Sequence, residues 1–279
     1  MPKHTVLTLQ EQKIHGQRIT MLTAYDYTMS KLLDSAGVEV LLVGDSLGMV
    51  MLGYENTLAV TMEDMIHHSR AVARGAAQAM VLTDMPFMSY HTSVQDAVYN
   101  AGRLIKEGQA HAVKLEGGAD FAEHIRAIVK ASIPVVGHLG LTPQSVHALG
   151  GYKVQGRTAE AMHNLCADAR AVEQAGAFAL VLECVPAPLA AHIARHLSIP
   201  VIGIGAGNGC DGQVLVAQDM LGMFADVSPR FVRQFAPVGK GVGEAVRQYC
   251  AAVKDGTFPS DEHSWALDAS LMQHLEEDF

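Results

Sequence analysis

The sequence predicts an α/β protein built as a single (β/α)8 barrel, and three observations lead there. Short apolar runs of strand length alternate with longer amphipathic segments, the pattern of parallel βα units. The segments between them carry apolar residues at helical spacing, so each crossover offers one face to a sheet. No linker-like or low-complexity stretch divides the 279 residues, and eight units fit one barrel over about residues 18–250. An open doubly wound sheet is the competing architecture.

In chain order the strand candidates are Arg18–Ala24, Val38–Val43, Met80–Thr83, His111–Leu115, Ile133–Gly137, Phe178–Leu182 and Ile199–Ile204. An eighth near Gln213–Ala217 completes the set. Among the crossovers, Phe121, Ile125, Ile128 and Val129 share one helical face, as do Met162, Leu165, Ala169 and Val172. Thr142-Pro143 has the form of a helix start, a capping hydroxyl before a proline whose missing N–H costs nothing there. The first 17 residues and the tail after Tyr249 read as additions to a domain that spans residues 1–279.

Composition narrows the function. With 20 Lys and Arg against 29 Asp and Glu, the formal charge is −9, which gives no general attraction for nucleic acid or an anionic membrane. Cys166, Cys184, Cys210 and Cys250 are far apart and form no CxxC pair, which argues against a thiolate zinc site and suits a reducing compartment. The start lacks the apolar core of a secretory signal, so a cytoplasmic location is expected. The stretch from Ala175 to Ala191 is interrupted by Glu183, Pro186 and Pro188 and reads as strand, loop and helix rather than a membrane span.

The informative regularity lies at the strand ends. Asp26, Asp45, Asp84, Glu116, His138 and Glu183 each follow an apolar run. In a parallel barrel those positions converge on the C-terminal face, where active sites of this fold are built. Carboxylates gathered at one mouth repel each other unless a cation or a proton compensates. Oxygen-only ligands suit Mg²⁺, which keeps several waters and leaves room for an oxygen-rich substrate. The competing reading of such acids, as helix caps or partners of Arg and Lys, weighs most for Asp26. Glu183, amid Leu180, Val181, Leu182 and Val185, is expected to be poorly solvated and so raised towards the working range of a general base.

Lys114 precedes Glu116 by two residues, so both point into the barrel, either paired with each other or both on substrate. A Schiff-base role is conceivable for such a lysine. The neighbouring acids oppose it, because they keep the amine protonated and suited to clamping a carboxylate. The glycine-rich segment 203–212 lacks the Walker and dinucleotide spacings and reads as a loop that lets a large substrate approach. His67, His68 and His147 read as surface or packing residues.

At these residues the chain resembles the ketopantoate hydroxymethyltransferase family. The likeness spans about residues 4–260 and is carried by MLTAYDY (21–27), LLVGDSLGMVMLGY (41–54), TDMPFMSY (83–90), VKLEGG (113–118), GHLGLTPQSVHALGGYKVQGR (137–157), LECVP (182–186) and IPVIGIGAGNGCDGQVLV (199–216). The resemblance implies a barrel in which Asp45 and Asp84 hold Mg²⁺ and Glu116 completes the metal site directly or through water. It implies that Ser46 and Lys114 bind the keto acid, that Glu183 accepts the proton and that His138 lies near the product. It further implies 3-methyl-2-oxobutanoate and 5,10-methylenetetrahydrofolate as substrates, an enolate mechanism without a covalent enzyme intermediate, and a homo-oligomer, a decamer. A Mg²⁺-dependent lyase or mutase of the isocitrate lyase and phosphoenolpyruvate mutase type is the nearest rival, since VGDS after a strand suits both; a non-catalytic anion-binding barrel is a third reading.

Overall fold

Strands are buried on both faces wherever helices cover a closed parallel sheet, and continuous apolar runs are what such strands require. The computed structural model, which describes residues 3–224 and 229–272, has eight of them. They are β1 (Ile19–Thr23), β2 (Val40–Val43), β3 (Met80–Asp84), β4 (Ala112–Glu116), β5 (Val135–Gly140), β6 (Ala179–Glu183), β7 (Val201–Ile204) and β8 (Gly212–Leu215). Each pairs in parallel with the next, and β8 closes on β1. The eight expected runs all form strands, and the closed order excludes the doubly wound alternative.

Helices α1 (Val6–Ile14), α2 (Tyr27–Ser35), α3 (Leu47–Val50), α4 (Met62–Gly75), α5 (Val94–Lys106), α6 (Ala122–Lys130), α7 (Ala159–Gln174), α8 (Ala187–His196), α9 (Ala217–Met220) and α10 (Val238–Asp255) fill the connections. Short polar side chains start several of them. Thr61 and Asp64 exchange hydrogen bonds with each other's backbone N–H in a capping box at α4. Ser93 and Thr158 cap α5 and α7 in the same way, each accepting from the N–H three residues on. The two helical faces read from sequence bury Ile125 and Ile128 on α6 and Leu165, Ala169 and Val172 on α7, whereas Met162 stays exposed.

Two expectations change. Thr142-Pro143 opens only a single 3-10 turn, Pro143–Ser145, and the Thr142 hydroxyl caps nothing. The N-terminal extension is part of the barrel: Leu9 of α1 packs with Ile19, Met21, Val40, Met80, Phe178 and Ile202 and plugs the end opposite the strand C-termini. Lys13 fixes this plug through Asp211 at 2.6 Å and the Ala194 carbonyl at 2.8 Å. Among the described residues no helix is long and apolar enough to cross a membrane.

Candidate active site

Register builds the site. Asp84 on β3 stands beside Lys114 on β4, and Glu116 on β4 beside His138 on β5, as direct neighbours across the parallel ladders. Because side chains alternate faces along a strand, all four of these point inward together with Glu183 on β6. Asp45 and Ser46 follow β2 at the same end. These residues line a cavity of about 570 Å³ that opens between Tyr152, Val154, Met49, Val50 and Phe231. Its floor is charged and its walls are largely apolar.

The floor contacts are specific. Lys114 Nζ lies 3.0 Å from Asp84 Oδ1, and Asp84 Oδ2 accepts the Asp45 backbone N–H at 3.1 Å. His138 bridges two acids, with Nδ1 3.3 Å from Glu116 Oε1 and Nε2 3.3 Å from Glu183 Oε2. Lys114 Nζ is also 3.3 Å from His138 Nδ1, which packs two cations against three carboxylates. Tyr25 and Ser46 hydroxyls bond at 2.8 Å. Lys114 therefore pairs with Asp84 on the neighbouring strand rather than with Glu116 on its own.

Burial and mutual repulsion set the electrostatics. Desolvation, then Asp84 and Glu116, push Asp45 up to about 8. Asp84 is also raised by burial, against the pull of Lys114. For Lys114, burial favours the neutral amine, but Asp84, Glu116 and Asp45 outweigh it and the net direction is upward. The same contest leaves His138 raised to about 9, since hydrogen bonds to Glu116 and Glu183 overcome burial and the Lys114 charge. Lys114 is thus an ammonium, unsuited to attacking a carbonyl.

A divalent cation fits this donor set. Asp45 and Asp84 are buried carboxylates that repel one another, and Asp84 Oδ1 has no aligned hydrogen bond despite its proximity to Lys114. Four carboxyl side chains, Asp45, Asp84, Glu116 and Glu183, face two basic ones, Lys114 and His138, and a 2+ ion would offset that surplus of acid. Among the described residues, no three His, Cys, Asp or Glu side chains converge into a closed cage. Glu116 is instead held by His138 and by the Gln144 backbone N–H at 3.0 Å, so Asp45 and Asp84 are the carboxylates that would hold an ion here.

Two strand-end acids differ from expectation. Asp26 does not join the cluster; its carboxylate caps α2 by accepting the Met29 N–H at 2.8 Å. Glu183 is not sheathed in apolar groups. Leu180 and Leu182 point outward into the helix layer, while the Glu183 side chain sits at the cavity wall beside His138, 16% exposed. The bend that aims it is tight: Cys184 takes φ +49°, and Gly140 (φ +91°) passes so close to the Glu183 carbonyl that a Cβ there would lie 2.2 Å from that oxygen.

Gln144 is the residue that sequence reasoning missed. Its side-chain amide donates to Asp45 Oδ2 at 2.8 Å and to the Met85 carbonyl at 3.0 Å, and its Oε1 accepts from the Tyr90 hydroxyl at 2.8 Å. It lies within the segment quoted for the resemblance, but nothing in its residue type or spacing marks it out.

Comparison with known proteins places the chain in a family. The family model for ketopantoate hydroxymethyltransferase matches residues 3–261. The chain is 60% identical to the 3-methyl-2-oxobutanoate hydroxymethyltransferase of Clostridium novyi, across 98% of this chain and 99% of that one. It is 58% identical to the enzyme of the same name from Enterococcus faecalis over the same shares. Among solved structures, a phosphonopyruvate hydrolase complexed with oxalate and Mg²⁺ superposes with a TM-score of 0.62 at 14% identity, over 100% of this chain and 96% of that one. The phosphoenolpyruvate phosphomutase of Streptomyces platensis gives 0.60 at 16%, over 99% and 98%. At that identity the likeness shows the fold.

Proposed function

The chain belongs to the ketopantoate hydroxymethyltransferase family, and from that premise we infer that it transfers a hydroxymethyl group from 5,10-methylenetetrahydrofolate to 3-methyl-2-oxobutanoate, giving 2-dehydropantoate. It is a one-carbon transferase of pantothenate synthesis. The observation that carries the site assignment is the buried Asp45–Asp84–Lys114 group on the cavity floor, with Glu183 across from it behind His138. The lyase and mutase rival is supported by fold likeness alone, at 13–16% identity, against about 60% for the transferase relatives.

In this reading Asp45 and Asp84 hold Mg²⁺, with Glu116 behind them. The ion supplies Lewis-acid stabilisation for negative charge developing on the keto oxygen. Lys114, kept charged by its acidic neighbours, clamps the substrate carboxylate, with the Ser46 hydroxyl as a second donor positioned by Tyr25. Glu183 removes the proton from C3. His138, bridging Glu183 and Glu116, steadies the base and takes part in holding the product. The C3 carbanion equivalent then bonds to the methylene carbon of a folate lying against the apolar mouth at Tyr152, Val154 and Phe231; one water supplies the hydroxyl oxygen, the two carbon–nitrogen bonds to the folate break, and tetrahydrofolate leaves with one proton from that water and one from C3. Closure of the floor by buried side chains keeps bulk water from quenching the carbanion.

The substrate is a small molecule, and the acidic surface fits neither nucleic acid nor membrane. We place the protein in the cytoplasm, as one barrel domain over residues 1–279 assembled into a homodecamer. The decisive experiment is hydrogen exchange at C3 of 3-methyl-2-oxobutanoate, followed by NMR in heavy water with and without Mg²⁺. Exchange that needs both enzyme and metal is expected. A wild-type enzyme fully active in excess chelator would exclude the metal-assisted route.

A further inference from the structure

The mouth of the cavity holds a carboxylate that the proton transfer on the floor does not use. α9 follows β8 and folds over the barrel end, its Ala217 N–H bonded to the Thr23 hydroxyl at 3.0 Å. The chain comes back to this helix at Phe235, whose N–H bonds the Met220 carbonyl at 2.9 Å. Between those two anchors stands Asp219, half-buried, which lines the cavity together with Val216, Phe224 and Phe231.

Asp219 differs from every acid below it. On the floor, Lys114 pairs with Asp84, and His138 with Glu116 and Glu183. Burial pushes the Asp219 carboxyl above the usual carboxylate range, and among the described residues no cation or hydrogen-bond donor pulls it back. A carboxylate in that position has lost hydration without a protein donor in exchange, and a ligand bearing the right donors restores what it lost. Glu55, the other acid of the cavity above the floor, is exposed and keeps its water.

The place defines the ligand group that suits it: a flat apolar body with two donors side by side on one edge. One part of a reduced folate has that form. The pyrimidine half of the pterin is planar, and its N3–H and 2-amino group are parallel donors that a carboxylate accepts with both oxygens. The glutamate end of the same molecule is anionic and is repelled by Asp219 and Glu55. Arg230, the one Lys or Arg that lines the cavity above the floor among the described residues, lies at the rim to receive it. The two ends are told apart by charge, and the methylene carbon lies between them.

We propose that Asp219 is the pterin-recognising residue: its carboxylate accepts from the N3–H and the 2-amino group of the folate, whose ring lies against Phe224 and Phe231. This rests on the folate reading given above, and binding measurements separate the failure of one from the failure of the other.

Calorimetry on the Mg²⁺-loaded full chain uses two probes, tetrahydrofolate and the analogue with a methyl group in place of the 2-amino group. The wild type should bind the analogue about 10- to 100-fold more weakly, because one charge-assisted hydrogen bond is lost and its acceptor is stranded. Asp219→Asn should weaken tetrahydrofolate by a similar factor and no longer distinguish the probes, with circular dichroism reporting an intact barrel. In steady state the same variant should raise KM for 5,10-methylenetetrahydrofolate and leave KM for the keto acid in place. Glu55→Gln should keep the wild-type preference. A wild type that binds both probes equally, or a preference that survives Asp219→Asn or vanishes in Glu55→Gln, would overturn the assignment of Asp219 while leaving the folate reading standing. A wild type that binds no tetrahydrofolate would overturn the folate reading and the pterin site with it.

Discussion

Glu183→Gln isolates one proton transfer from everything else in the cavity. The substitution keeps the side-chain shape and removes the basic oxygen. Among the described residues the Glu183 carboxylate has His138 Nε2, at 3.3 Å, as its polar partner, and His138 keeps Glu116 on its other nitrogen. The groups assigned to metal and carboxylate lie on other strands, Asp84 on β3 and Lys114 on β4, paired at 3.0 Å and untouched by a change on β6. Folding and keto-acid binding should therefore survive. A general base contributes about 10²–10⁴ in rate, equivalent to about 3–5 kcal/mol of barrier. C3 exchange and product formation should both fall by that factor. The assay is loss of the C3 proton signal in heavy water, with affinity measured in parallel by calorimetry. If the Gln variant exchanges at the wild-type rate, the base is another group and the assignment of Glu183 fails.

Four further outcomes follow from the same geometry. Asp45→Asn removes one of the mutually repelling buried acids, so thermal stability in chelator should hold or rise while the stabilisation gained on adding Mg²⁺ disappears, as read by Tm with and without metal. Lys114→Met leaves Asp84 buried without its cation, which should cost about 3–5 kcal/mol in denaturant unfolding, and borohydride trapping of the wild type with keto acid should give no adduct by mass spectrometry. Gln144→Leu orphans the Met85 carbonyl and frees the Asp45 carboxylate, while the Tyr90 hydroxyl keeps its bonds to the Glu116 backbone; at about 1–3 kcal/mol for each of the two stranded groups it should lower unfolding free energy by about 2–6 kcal/mol and weaken Mg²⁺ binding by calorimetry. Burial pushes the Cys184 and Cys210 thiols up to about 11, so the reactive thiolate is scarce at neutrality; their alkylation should climb about tenfold per pH unit from pH 7 to 9 without a plateau, whereas the urea-unfolded chain levels off near pH 8.5, as peptide mass spectrometry would show.

What the sequence determined by itself follows from two short-range periodicities. Strand-length apolar runs at regular intervals require a parallel sheet with both faces covered, and the two-residue repeat of a strand puts Lys114 and Glu116 on one face whatever their neighbours are. An acid in the last position of a run is delivered to the C-terminal mouth of any such barrel, so Asp45, Asp84, Glu116 and Glu183 were legible before the fold was known. The tertiary structure decided which of them meet. Asp84 finds Lys114 30 residues on, and Glu116 finds His138 22 residues on, through registers between strands that no local pattern encodes. Asp26 shares the strand-end pattern but rotates into a helix cap, because the N–H groups at the start of α2 lie nearer than the cavity. Gln144 acts only because a 3-10 turn folds its amide down between Asp45 and Tyr90. The start of α10 is likewise tertiary: Gly239 comes so close to Gly222 that a Cβ there would lie 2.5 Å from its carbonyl oxygen, a contact that sequence spacing does not specify.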